Sequence, residues 1–171
     1  MANSRVRILL DADVLIHFQK ADRLSLLPAI LPEYECVVLS VVYGELRSLQ
    51  SQLDRQIQYL KNISLVEFSP IGDMAREYAM LLRRFGRGES ACMAYCRFTN
   101  NVLGSSNLHD IKEYCNANGI TYLTTVDFLY FAYKRGVMTA PECEEFVRIV
   151  KSKGSKLPDF DVRTYVCTVV L

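Results

Sequence analysis

Apolar residues fall along this chain in short runs separated by longer segments where they recur every three or four positions, a pattern that predicts strands alternating with helices. Val6, Ile8, Leu9 and Leu10 make the first run. It is too continuous for a strand with one wet face and suits a parallel strand covered on both sides. The run ends on Asp11, and Val14, Leu15 and Phe18, then Leu24, Leu26 and Leu27, continue at helical spacing around a polar corner at 20–23. Two short helices fit there, with Pro28 and Pro32 closing the second. Glu35 to Ser40 reads as the second strand, with Ser40 as cap of a helix carrying Glu45, and helical sequence follows to about Lys61.

Ile63 to Phe68 is the third strand. A helix entered through Ser69 to Asp73 carries Met74, Tyr78, Leu81 and Leu82 on its apolar face. The segment Arg83 to Ser90 breaks at two glycines and restarts a helix with Glu89 in its first turn, where the helix dipole favours an acid. Asn101 to Gly104 is a fourth strand, Leu108 to Ala117 a helix stopped at Asn118-Gly119, and Ile120 to Thr125 a fifth strand. Helices over 126–134 and 141–151 follow. The expected class is therefore α/β, a Rossmann-like, mostly parallel sheet of about five strands with helices on both faces, occupying residues 1–150. Residues 151–171 read as a linker, Lys151 to Lys156, and a β-prone tail, Val162 to Leu171, which needs a partner surface on the sheet edge or another subunit.

Composition narrows the picture. Twenty Lys and Arg against nineteen Asp and Glu leave no global field of the kind that marks a non-specific nucleic-acid binder, so any such contact must be local. Six cysteines stand at scattered positions without a Cys-x-x-Cys pair, and read as reduced thiols of a cytoplasmic protein rather than a disulfide frame or zinc site. No apolar stretch approaches the length of a membrane span.

Candidate chemistry gathers where strands end. Sites in parallel α/β sheets form beyond the strand carboxyl ends, and Asp11, Glu45, Glu89 and Asp110 all fall there or at helix starts. Acids sharing a rim repel one another and call for a cation, for which Mg2+ or Mn2+ with carboxylate and water oxygens is the natural choice. Asp13 is read either as a helix cap or as a partner of the site. His17, one turn later, is within reach of Asp13, and His109 adjoins Asp110. Arg83, Arg84 and Arg87 precede Glu89 and are candidates for holding phosphate groups, which the resemblance drawn below makes those of RNA. Cys92 and Cys96 share a helix face and read as buried thiols. Serine-nucleophile and phosphate-loop motifs are absent from the sequence.

Asp11-Ala-Asp-Val-Leu-Ile16, Ser40-x-x-x-x-Glu45, Gly86-Arg-Gly-Glu-Ser-Ala91 and the Thr124-Thr125 strand end, in that order over residues 6 to 140, resemble a PIN domain. The resemblance implies a metal-dependent endoribonuclease of the VapC toxin type, working as a homodimer and blocked by a cognate antitoxin. It implies metal ligation by Asp11 and Glu89, Glu45 as a further acidic member, and Asp13 near the water network. The fourth strand departs from the pattern: where the family places an acidic turn, this chain has Gly104-Ser-Ser-Asn-Leu-His-Asp110. Asp110 either reaches inward as the fourth acid or caps its helix with Ser106 or Asn107, and Ser105, Ser106 and Asn107 are candidates for an outer shell. The alternative function is a catalytically degenerate module of the same fold that binds RNA or a protein partner.

Overall fold

The computed structural model describes residues 5–171, and its frame is a five-stranded, all-parallel sheet in the order β3-β2-β1-β4-β5. The strands are β1 (Arg7–Leu10), β2 (Glu35–Leu39), β3 (Ile63–Val66), β4 (Val102–Gly104) and β5 (Tyr122–Leu123). Ile8, Leu9 and Leu10 of the central strand are fully buried, as a strand covered on both faces requires. The register sets Leu9 beside Val37 on one flank, and Leu10 beside Gly104 on the other.

This order carries a direct consequence for function. The chain builds outward from β1 to β3, then crosses back to lay β4 on the opposite side of β1. The carboxyl ends of β1 and β4 therefore flank the point where the winding reverses, the place at which open α/β sheets leave a crevice. Asp11 stands immediately beyond β1, its backbone N–H still bonded to the Gly104 carbonyl at 2.8 Å. Ser105 stands immediately beyond β4, its own N–H on the Leu123 carbonyl at 3.0 Å.

Helices cover the sheet. Helix α1 (Ala12–Lys20) packs with α9 (Ala140–Ser152), and α2 (Leu27–Ile30) with α8 (Thr125–Lys134). Between α2 and β3 come α3 (Ser40–Glu45) and α4 (Gln50–Asp54), the latter running into a wider turn over Arg55–Leu60. Helix α5 (Gly72–Leu81) packs on α6 (Arg87–Thr99), which also meets the sheet at β1 and β2 and the flanking α7 (Leu108–Asn118). Phe18 is held edge-on between Phe128 and Phe146, joining α1, α8 and α9 in one aromatic cluster. Among the described residues no helix is long and apolar enough to cross a membrane, and the six cysteines are free.

Several local expectations are corrected. Pro28 lies in the first turn of α2 rather than closing it, the position where a missing N–H costs nothing. Ser40 does not cap α3; its hydroxyl accepts the Phe68 N–H at 3.0 Å and ties β2 to the segment after β3. The fifth strand is only Tyr122–Leu123, because Thr124 already caps α8 in a reciprocal box with Asp127. The 162–171 stretch forms no strand. A two-residue β5 offers too few backbone groups to template another strand, so the tail packs through side chains instead: Val162 is buried, and the Tyr165 hydroxyl donates to Asp127 at 2.7 Å.

Candidate acidic site

The site assembles at the winding reversal from four elements. Asp11 is the N-cap of α1, its carboxylate accepting the Ala12 N–H at 2.8 Å. The capping role considered for Asp13 thus belongs to Asp11. Asp13 spans the crevice instead, with one oxygen on the Val14 N–H at 2.6 Å and the other on the Ser106 N–H at 2.8 Å, beside the Ser105 hydroxyl at 3.5 Å. The ends of β1 and β4 are therefore joined by a carboxylate as well as by their ladder.

Glu89 enters from the first turn of α6 and is only 9% exposed, against 6% for Asp11. The Asn107 side-chain amide donates to Glu89 at 3.0 Å and to Asp110 at 2.7 Å, bridging the two acids. Asp110 thus does reach the rim, but it meets Glu89 through an amide. His109 projects into solvent with 95% of its side chain exposed.

Glu45, the last residue of α3, is solvent-exposed, and its carboxylate accepts the Gly88 N–H at 3.0 Å. Gly86, the N-cap of α6, has no side chain to offer, so Glu45 satisfies one of that helix's free donors from another element. The approach needs glycine: a Cβ on Gly88 would stand 2.6 Å from a Glu45 carboxylate oxygen. Arg83, Arg84 and Arg87 are exposed beside this helix start, and among the described residues none of them pairs with a carboxylate. Arg87 sits in the first turn of α6, where a cation opposes the helix dipole.

Charge at this rim is uncompensated. Burial, and then the neighbouring charge of Asp13, push the Asp11 carboxyl up to about 7 against the opposing pull of the Ala12 N–H and Ser105 hydroxyl. Burial followed by the charges of Asp11 and Asp110 pushes Glu89 up to about 8, with the Asn107 amide working the other way. Burial also raises Asp13. Behind the rim, a buried polar chain runs from Ser106 Oγ to Thr125 Oγ1 at 2.7 Å and on to His17 Nδ1 at 2.8 Å. His17 therefore does not pair with Asp13, and burial lowers its pKa to about 4, keeping it neutral. Burial also holds the Cys92 and Cys96 thiols protonated, so both are poor nucleophiles and poor ligands.

The donors available are all hard oxygens, the type that suits Mg2+ or Mn2+. Among the described residues, however, no three Asp, Glu, His or Cys side chains converge as a ready-made ligand cluster. The acids instead take their hydrogen bonds from Ala12, Gly88 and Asn107. Asn107→Ala is expected to cost about 1–3 kcal/mol at pH 8, because two hydrogen bonds to acidic groups disappear. The cost should be smaller at pH 6, where Glu89 keeps its proton; urea unfolding at the two pH values measures the difference.

Sequence reasoning named Asp11, Asp13, Glu45, Glu89, Asp110 and Asn107, but not Gly88 as the residue that admits Glu45, nor Thr125 as the link from Ser106 to His17. The glycine pair at 86 and 88 was the only signal for the first, and nothing local marked the second. No family model matches this chain, and no curated protein matches it.

Proposed function

We propose that this protein is a metal-dependent endoribonuclease whose acidic rim binds Mg2+ or Mn2+. One observation carries the reading: two buried carboxylates, Asp11 just beyond β1 and Glu89 in the first turn of α6, share the winding reversal with raised proton affinity and with the half-buried Asp110 beside them, a charge state that a divalent cation would relieve. Asp11 and Glu89 would hold the ion, with Glu45 and Asp110 as further oxygen donors. A bound ion supplies positive charge to the phosphodiester and activates water for attack.

The chain's own residues then have separable tasks. Arg83, Arg84 and Arg87 hold backbone phosphates beside α6, which explains a cation placed against the helix dipole at Arg87. Asn107 orients Glu89 and Asp110. Asp13 fixes the 105–107 turn against β1, and Gly88 leaves room for Glu45. Gly88→Ala is accordingly expected to displace the Glu45 carboxylate and slow RNA cleavage about 10-fold. Its thermal midpoint should fall modestly, since a Cβ there also comes within 3.2 Å of the buried Val42 and the Gly88 N–H loses its Glu45 partner. The deciding assay is manganese-dependent cleavage of RNA by the wild-type chain: if none is found above that of Asp11→Asn, the reading is lost.

A second reading is a module of the same fold that binds RNA or a protein partner without cutting. It is favoured by the hydrogen bonds that already occupy Glu45, Glu89 and Asp110. Calorimetric titration separates the two, since this module should take up no manganese in a manner that Glu89→Gln abolishes. An antitoxin or a second copy of the chain, which the resemblance implies, would cover exposed apolar side chains such as Tyr59, Ile71 and Leu82.

A further inference from the structure

Beside the acidic rim lies a cavity of about 330 Å³ whose far wall is the C-terminal tail. Ser106, Leu108, Tyr122, Thr124, Val126 and Asp127 line one side; Lys156, Leu157, Pro158, Tyr165, Thr168 and Val169 line the other. Ser106 belongs to both places. Its backbone N–H holds Asp13 at the rim, while the residue also forms part of the cavity wall. A strand of nucleic acid with a phosphate at the rim would thus have its neighbouring residue at the cavity mouth.

We propose that this cavity receives one unpaired base of a single-stranded RNA lying across the acidic rim, an inference that rests on the ribonuclease reading and names where its substrate is gripped. Size is the first argument. The volume is at the lower end of the range for ligand pockets, suited to a single ring system and too small for a base pair. Chemistry is the second. Two tyrosine rings and the side chains of Val126, Leu157, Pro158 and Val169 make an apolar slot, and stacking on aromatic rings is how single strands are held without regard to sequence. Thr168 supplies a polar group to its edge, whereas the Ser106 hydroxyl is already taken up by Thr125.

Charge is the third argument. Lys156 is exposed at this cavity, and among the described residues it forms no ion pair, whereas nearby Lys151 is tied to Asp159. An unpaired ammonium at the mouth of an apolar slot matches a base with its phosphate outside. The tail is also built to be a wall. Tyr165, Cys167 and Val169 are partly buried, while Val166, Thr168 and Val170 between them are exposed. Asp127, buried and capping α8, fixes the tail by accepting from the Tyr165 hydroxyl.

The test uses the full chain and a single-stranded oligoribonucleotide of about ten nucleotides, a length within the usual span of such sites. Binding is measured in EDTA, so that cutting does not intervene, and again with the base removed at one position. Removal of the seated base is expected to weaken wild-type binding about 10-fold, and a duplex of the same sequence should bind more weakly than the single strand. Val169→Trp, which fills the slot, should weaken binding by a similar factor and abolish the effect of the missing base. Lys156→Ala, on an exposed side chain that forms no ion pair among the described residues, should weaken binding several-fold if the bulkier variant does not fold.

Unchanged binding in folded Val169→Trp, no dependence on the missing base, or no binding to wild type would each overturn the proposal. Manganese-dependent cleavage is scored separately. Base-dependent binding without cleavage keeps the cavity and loses the nuclease. Equal cleavage by wild type and Val169→Trp, with identical products, keeps the nuclease and loses the cavity.

Discussion

Asp11→Asn should cut RNA at least about 100-fold more slowly than wild type in manganese, because even an outer partner of a metal ligand is commonly worth 10- to 100-fold. Asparagine is the informative replacement. It is nearly isosteric and keeps an oxygen to accept the Ala12 N–H, so the cap of α1 survives while the charge is lost. The variant should also be more stable than wild type in EDTA at pH 8, since it removes a buried charge facing Asp13 and Glu89. A loss of cleavage accompanied by a lower thermal midpoint would instead point to a damaged fold. Cleavage retained within a few-fold of wild type would show that Asp11 holds no essential ion.

Stability without divalent ions should fall as pH rises from 6.5 to 8. The sign follows from which state holds the proton. Asp11 and Glu89 have ordinary values of 3.8 and 4.5 and are raised to about 7 and about 8 in the folded protein. Unfolding therefore releases protons in this range, and their stabilising contribution, complete below pH 4, is lost as pH climbs through the folded values. His17 acts in the other direction. Lowered from 6.5 to about 4, it contributes stability that is full above pH 6.5 and lost on acidification. The two effects oppose one another between pH 4 and 6.5, so only the upper window reads the acids cleanly. A loss on the order of 1 kcal/mol between pH 6.5 and 8 is expected.

Manganese should reverse that trend. An ion competes with protons for the carboxylates, so its stabilisation should be larger at pH 8 than at pH 6.5. Thermal unfolding with EDTA and with manganese at both pH values measures all four corners. Equal midpoints in EDTA at pH 6.5 and 8 would mean that the rim carries compensated charge, and the case for a cation would fall with it.

The parts of this molecule that could be read along the chain share one property: their cause is local. The buried character of β1 follows from three consecutive apolar residues, Ile8 to Leu10, whereas Val6 ahead of the strand is exposed; the end of α7 follows from Asn118-Gly119, and the position of Asp11 from the place where the first apolar run stops. Glu89 was legible as a first-turn acid for the same reason. The Ser40 cap failed because its hydroxyl found a partner 28 positions away at Phe68. The tail strand failed because β propensity in Val162 to Leu171 has no effect without an edge long enough to pair with, and β5 has two residues.

The fourth strand marks the division most clearly. Spacing left Asp110 between an inward acid and a helix cap; in the fold α7 has no side-chain cap, and the Asp110 carboxylate accepts the Asn107 side-chain amide instead. Asn107 carries the contact to Glu89, from a helix eighteen residues earlier in the chain. By itself, then, the sequence determined the alternation of strands and helices, the parallel sheet and the list of acids that could share a rim, because periodicity and local capping act over a few residues. Tertiary structure alone decided which acids meet, that Glu45 closes on Gly88, that His17 turns to Thr125 and that the tail walls a cavity beside Ser106. Those outcomes depend on strand order and on the crossing from β3 back to β4, which bring together side chains that no local interaction connects.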